Sequence, residues 1–354
     1  MPLREKLQNR RGRGLVIVVV LLLATLQIEG CYYMQAVRGQ LHVMNSRQPI
    51  PEVLADETSP EVLKKRLTIV QEARNFAVSE LLLPDNKSYR SYADLGRDYV
   101  VWNVFAAPEF SLEPKTWCFP VAGCVAYRGY FAEDAARKKA ANLSDDGFDV
   151  VVGGVSAYST LGRFSDPVLN TMMRWSDVQL VSTIFHELAH QKMYIKGDTA
   201  FNESFATAVA DIGIKRWLNE HDELSGADRL TADRELRQAM MVLIDAAKAE
   251  LTALYGSAVH DDLKRSRKQE LLAKLSVGVA SLIEESGSDS ENWLSVPLNN
   301  ARLASIGLYE GRQGAFKAIL RDCNEDLVCF YEETEKLAEL DPETRKVRMD
   351  QMAD

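Results

Sequence analysis

Histidine and cysteine are both scarce in this chain, five of each in 354 residues. No two cysteines fall at C-x-x-C spacing and none has a histidine beside it, which excludes a structural zinc finger or ribbon. There is no internal repeat and no low-complexity tract, so the chain is neither a solenoid nor a compositional linker. A net charge of −9 without a basic stripe argues against nucleic acid as a partner. A spanning helix needs about 20 apolar residues. The run at 15–26 has twelve, and Gln27 and Glu29 interrupt any extension.

What is there begins with that short run. Arg4, Lys6, Arg10, Arg11 and Arg13 precede it, and basic residues before a brief apolar stretch make residues 1–30 a signal peptide. The Arg10-Arg11 pair lacks the rest of a twin-arginine motif. Ile28-Glu29-Gly30-Cys31 follows and resembles the lipobox of bacterial lipoproteins, with Glu29 off the pattern. Lipidation of Cys31 is favoured over an uncleaved anchor, because diacyl modification supplies the two-chain attachment that holds a protein on a bilayer. The expectation is an exported protein, tethered by residues 31–50 to the outer membrane through Cys31 and facing the periplasm. Setting Cys31 aside leaves an even number of cysteines. In an oxidising compartment, Cys118 with Cys124 and Cys323 with Cys329 is the simplest of the three connectivities, each pair closing a short loop.

Two of the histidines stand in His186-Glu187-Leu188-Ala189-His190. On a helix, positions i and i+4 lie one above the other, so both imidazoles face a single ion. Glu187 is then placed to reach a water at that ion without ligating it. The surroundings predict the helix. Ser176 and Gln179 form an S-x-x-Q capping box, and Val178, Val181, Ile184, Phe185, Leu188 and Ala189 recur at helical spacing. Lys192 and Lys196 suit a last turn, with Gly197 at C′. A catalytic zinc needs a third protein ligand and one open position. Glu203 is the best candidate, carried at the start of a second apolar-periodic segment and folded back by a corner at Gly197-Asp198. Asp198, Asp211 and His221 compete. Asp198 reads better as a turn or N-cap residue, Asp211 as a partner that orients a ligand histidine, and His221 as solvent-facing.

His186-Glu187-Leu188-Ala189-His190-Gln191 followed by Asn202-Glu203-Ser204-Phe205-Ala206 resembles the paired motifs of gluzincin metallopeptidases, above all the M1 aminopeptidases. Over residues 31–340 the order of features is also similar to a bacterial family of aminopeptidases carried as lipoproteins. The resemblance implies a zincin-like fold, a Zn2+ ion held by His186, His190 and Glu203, Glu187 as general base, and a peptide as substrate. Two departures stand out. Only 12 residues separate His190 from Glu203, fewer than the M1 pattern places there, so the loop between them must be tight. The G-x-M-E-N signature, whose Glu holds the substrate's free amine, is absent, and the nearest stretch is Gly153-Gly154-Val155-Ser156-Ala157. Peptidase is thus better supported than aminopeptidase.

The fold expected is α+β and predominantly helical: a mixed half over 51–195 carrying the active-site helix, and a helical half over 196–345 supplying the third ligand. Pro60 opens a helix reaching residue 83, and strand-like runs at 100–105, 121–131 and 148–156 can build a small mixed sheet, with a helix at 132–143. Either of the two later runs suits an edge that pairs with an extended peptide, and both read equally well as internal strands. Helices follow at 202–221, 230–255, 258–286, 299–321 and 325–340. Tyr309, Tyr158, Tyr194 and Arg302 are candidates to donate to an oxyanion, while Asn299 and Asn300 most simply cap a helix. Two rival functions remain: a non-catalytic envelope lipoprotein using the zincin fold for binding or assembly, against which an intact Glu187 speaks, and an amidase acting on peptidoglycan stem peptides, for which no sugar-binding module is recognisable.

Overall fold

The computed structural model describes residues 32–119, 123–157, 159–221, 227–287, 296–307 and 313–353. Residues 1–30, expected as a signal peptide, and Cys31, Tyr158 and Tyr309 lie outside them. The chain is predominantly helical with small sheets, as expected. No helix among the described residues is long and apolar enough to cross a membrane.

Residues 32–45 form helix α1. The segment read as a tether is therefore ordered, and it is docked on the body. Gly39 sits so close to the Phe131 ring that a Cβ there would lie 2.0 Å from it. Gln35 fastens the same contact, its side-chain oxygen accepting from the Phe131 N–H at 3.0 Å. After α1 come β1 (Arg47–Pro49), α2 (Ile50–Ala55), α3 (Glu61–Ser79), β2 (Ser91–Ala93), β3 (Val101–Pro108), β4 (Trp117–Phe119), β5 (Gly123–Val125), β6 (Arg128–Tyr130), α4 (Glu133–Asp145), β7 (Phe148–Val155) and β8 (Val168–Leu169).

The three runs expected as strands do build one sheet, in the order β6-β3-β7 and antiparallel throughout. The middle run divides, however. Its β5 part pairs with β4 and only β6 joins β3, because the Cys118–Cys124 disulfide holds β4 and β5 as a hairpin in which the two cysteines are directly opposed. The mixed sheet is a different one: β1 pairs antiparallel with β2, which pairs parallel with β8. Strand β3 is buried on both faces. Val104 and Ala106 pack with Ala136 and Leu143 of α4, while Phe105 and Ala107 pack with Ala301 on the other side. That leaves β6 and β7 as the outer strands of this sheet.

The remainder is helical: α5 (Asp177–Lys192), α6 (Thr199–Glu220), α7 (Ala227–Gly256), α8 (Asp261–Ser286), α9 (Asn300–Gly307), α10 (Gln313–Asp322), α11 (Leu327–Glu339) and α12 (Pro342–Ala353). The single helix expected at 299–321 is described as α9 and α10, with 308–312 outside the described residues. Helix α12 was not foreseen. The largest core runs across both expected halves, gathering Leu67 and Phe76 of α3, Phe185 of α5, Phe205 and Trp217 of α6, Phe316 of α10 and Phe330 of α11. Helices α5 and α6 approach closely at Gly213, where a Cβ would meet Phe185 at 2.6 Å. A second core joins α7, α8 and Leu303 of α9. It is tied to the sheet by Lys268, whose ammonium lies 2.7 Å from Asp149 of β7.

Helix α5 starts where its sequence says it should. The Ser176 hydroxyl accepts from the Gln179 N–H at 3.2 Å, satisfying one of the donors that a helix N-terminus leaves without partners. Ser176→Ala is expected to lower stability by about 1 kcal/mol, seen as a lower urea midpoint with an unchanged m-value. An unchanged midpoint would mean that tertiary packing alone fixes this end.

Candidate metal centre

Helix α5 buries Val181, Ile184, Phe185, Leu188 and Ala189 in the main core and turns His186 and His190 together toward α6. Their Nε2 atoms are 3.1 Å apart. Glu203 of α6 meets both, with Oε2 3.3 Å from His186 Nε2 and Oε1 3.6 Å from His190 Nε2. Among the described residues this is the one cluster of three such donors able to hold a metal ion. The spacing can be tested against coordination geometry. Ligand bonds of about 2.05 Å in a tetrahedron put neighbouring donor atoms about 3.3 Å apart. The 3.1 and 3.3 Å separations lie close to that value, while the 3.6 Å contact is made by the other Glu203 oxygen, so the donor set fits a zinc ion once a single carboxylate oxygen faces both imidazoles.

A tight corner brings Glu203 back. Helix α5 ends at Lys192 rather than at Lys196, and Gly197 is not the helix's C′ residue. It is the third residue of a turn in which Asp198 N–H donates to the Ile195 carbonyl at 3.2 Å, with a φ of +85° that favours glycine. The helix stops early because Asn202 claims Ile195. The Asn202 side chain accepts from the Ile195 N–H and donates to its carbonyl, both at 2.8 Å. Asp198 caps α6 as expected, accepting from the Phe201 N–H at 3.0 Å, and also from Arg345 Nε of α12 at 2.9 Å. It is thus occupied away from the triad. Asp211 lies close enough for its charge to act on His186. His221 is about 27 Å along α6 from Glu203, and it is half-buried, stacked on Trp217, rather than solvent-facing.

Burial opposes charge on His186, but a hydrogen bond to Glu203 and the nearby charges of Glu187, Glu203 and Asp211 raise its pKa on balance. Burial likewise works against the Glu203 carboxylate, and the two imidazoles overcome it, holding the group below its usual range. His190 goes the other way. Burial, with the charge of His186, pushes it down to about 4, so it is a neutral nitrogen donor at any physiological pH. Glu187, beside the triad, is raised to about 7, chiefly by burial.

The walls around Glu187 come from two loops that the sequence reading did not single out. Tyr89 is 2% exposed and has a φ of +60°, a costly conformation for a bulky residue. Its N–H donates to the Asp166 carbonyl at 2.6 Å. The buried Arg74 guanidinium fixes this loop by donating to the carbonyls of Pro84, Asn86 and Ser88. Gln191, next to His190, accepts from Asn86 at 2.7 Å and so ties the loop to α5. From the other side, the Asp166 carboxylate is held by the Thr160 N–H and hydroxyl at 2.8 and 2.7 Å. The Ser159 hydroxyl lowers Glu187 by hydrogen bonding, against the raising effect of burial.

Of the four candidate oxyanion donors, Tyr194 is beside the triad, its ring 6.4 Å from that of His190. Burial and the charge of Glu203 raise its hydroxyl, so it stays protonated as a donor must. Arg302 is on α9 and donates to the Val296 carbonyl. Asn299 caps α9, accepting from the Arg302 N–H at 2.9 Å, while Asn300 donates to the carbonyls of Pro108 and Glu109. The second disulfide joins Cys323 to Cys329 between α10 and α11.

No curated protein and no solved structure matches this chain. A family described as "putative aminopeptidase" matches it over residues 31–349, and the chain belongs to that family.

Proposed function

We propose that the chain is a zinc-dependent peptidase of the gluzincin type, exported and attached to the bacterial envelope through a lipid on Cys31, with the site facing the periplasm. The observation that carries this reading is the gathering of His186, His190 and Glu203, whose ligand atoms, one from each residue, all lie within 4.8 Å of one another, with Glu187 beside them. When bound there, zinc would polarise the scissile carbonyl and acidify the attacking water. Glu187 takes the proton of that water and returns it to the leaving amine, and a carboxyl raised to about 7 is well matched to both tasks near neutral pH. Tyr194, whose ring is 6.4 Å from that of His190, would donate to the carbonyl oxygen as its charge grows. Strand β7, an outer strand among the described residues, offers backbone groups on which an extended peptide can lie.

The test is to load the protein with zinc, incubate it with a mixed peptide library and map the products by mass spectrometry. Cleavage that His190→Ala abolishes together with zinc content supports the proposal. An intact library with zinc stoichiometrically bound overturns it in favour of a binding protein. Removal of single N-terminal residues, as opposed to internal cuts, decides whether the "amino" of the family description applies to this chain.

A further inference from the structure

We infer that the outer face of α1 is a membrane-contact surface, resting in the interface of the anionic bilayer to which the chain is attached. The face is apolar. Tyr33, Met34, Val37 and Leu41 are 41%, 52%, 54% and 50% exposed. On a helix they fall within about 100° of arc. Thirteen large apolar side chains are exposed among the described residues; these four lie within nine positions of one helix, and the other nine are spread over the rest of the chain. A set gathered on one face calls for a partner, which scattered residues do not.

The helix cannot turn this stripe inward. Its opposite side is already committed, with Val43 1% exposed, Gly39 pressed on Phe131, and Tyr32 stacked on Phe119 under the Arg128 guanidinium at 4.0 Å. Packing of the body therefore holds the apolar face outward. Charge selects the occupant. Between Glu29 and Glu52 there is no acidic residue, while Arg38 and Arg47 are present, in a chain whose net charge is −9. Arg38 is exposed, flanking the apolar arc, where it can meet lipid phosphates. Position agrees. The basic segment, the apolar run at 15–26 and Cys31 all precede α1, and the helix begins at residue 32. A chain held in lipid by Cys31 delivers α1 to the headgroup level, and so does one held by an uncleaved apolar run. The inference rests on the attachment part of the proposed function, and on neither form of it in particular. A second copy of the chain is a poorer fit, since four half-exposed side chains fall short of the about 800 Å2 per partner that a stable protein interface buries. A helix already tethered needs much less, because attachment makes its contact with the bilayer an intramolecular event.

The experiment places the full chain in vesicles of phosphatidylethanolamine and phosphatidylglycerol containing a trace of a lipid with a photoactivatable diazirine in its acyl chain. After irradiation, labelled peptides are mapped by mass spectrometry. The expected result is label on the peptide spanning residues 33–41. Replacing three outward-facing residues together, Met34→Gln, Val37→Gln and Leu41→Gln, should lower that label by about tenfold or more, with an unchanged circular dichroism spectrum. Label confined to residues 1–31 overturns the inference, as does a chemical cross-link joining α1 of two copies without lipid label, which would give the face to a second copy. The intact mass of the N-terminus reports separately on Cys31. An unmodified Cys31 with label on α1 refutes lipidation alone, and a lipidated Cys31 with no label on α1 refutes the membrane face alone.

Discussion

Glu187→Gln should lower peptide hydrolysis by about 10²–10⁴-fold, the range lost with a positioned general base, and leave zinc content unchanged. The amide keeps the shape of the carboxyl and its place between the two loops but cannot accept a proton at neutral pH. Because Glu187 is not among the three donors, zinc has no reason to leave. Undiminished cleavage by the zinc-loaded variant would remove Glu187 from the mechanism. The same substitution has a second, independent effect on the metal-free chain. Burial raises the Glu187 carboxyl from 4.5 to about 7. Between those values the folded form keeps a proton that the unfolded form has released, so this group makes stability fall as pH rises, by ~3 kcal/mol across the window. Below 4.5 both forms are protonated and the group is neutral in effect. Gln does not titrate. With a chelator present, Glu187→Gln is therefore expected to match the wild type near pH 4 and to exceed it by ~3 kcal/mol at pH 8 in urea unfolding. Equal stability at pH 8 would mean that the carboxyl is better solvated than its surroundings imply.

Asn202→Ala should lower stability by about 2–4 kcal/mol, since it strands a backbone N–H and a carbonyl that share one side chain. Asn202 is 1% exposed and bonds to both polar groups of Ile195, so water cannot take its place without opening the corner. The residue after it is Glu203. Losing the clamp frees the turn that aims the third donor, and zinc affinity should fall by about 10–100-fold, the usual cost of removing a residue that orients a ligand. Asn202→Asp keeps the acceptor for the Ile195 N–H but sets a buried carboxylate oxygen against the Ile195 carbonyl, and a loss of stability at least as large as that of the alanine variant is expected near neutral pH. Urea unfolding and competitive zinc titration measure stability and affinity separately. A destabilised variant that binds zinc as tightly as the wild type would reduce Asn202 to a folding role.

How far the sequence revealed this arrangement depended on whether the information was local. The α5 start at Ser176, its apolar stripe and the i, i+4 pair are all written within seventeen residues, and each was legible from them. Glu203 was legible because a corner between two helices has few solutions. The end of α5 was not, since the competitor for the Ile195 backbone is a side chain seven positions on that composition marks only as one more asparagine. The division of the run at 121–131 was missed although the Cys118–Cys124 pairing was itself expected from the sequence, because its effect on strand pairing was not drawn. Its cause is a disulfide partner on the strand before, which turns a continuous β-prone stretch into parts of two sheets. Tyr89, Ser159 and Asp166 sit in loops without periodicity and reach Glu187 only through tertiary anchors such as Arg74 and Gln191. An i, i+4 motif points to a metal. It does not say which loops will surround its base.

The hold of Arg345 on Asp198 bears on when the centre matures. A growing chain that has reached residue 340 already contains both histidines, the base, Glu203 and the Phe316 ring that packs on Phe201 at the start of α6, yet the partner of the Asp198 cap is still to come. Arg345 reaches back across 147 positions, donates to the carbonyls of Ala338 and Leu340 on the way, and closes on the cap of the glutamate helix. The last anchor on the cap of the glutamate helix, and with it the final setting of the candidate metal centre, is thus supplied only by the segment around Arg345.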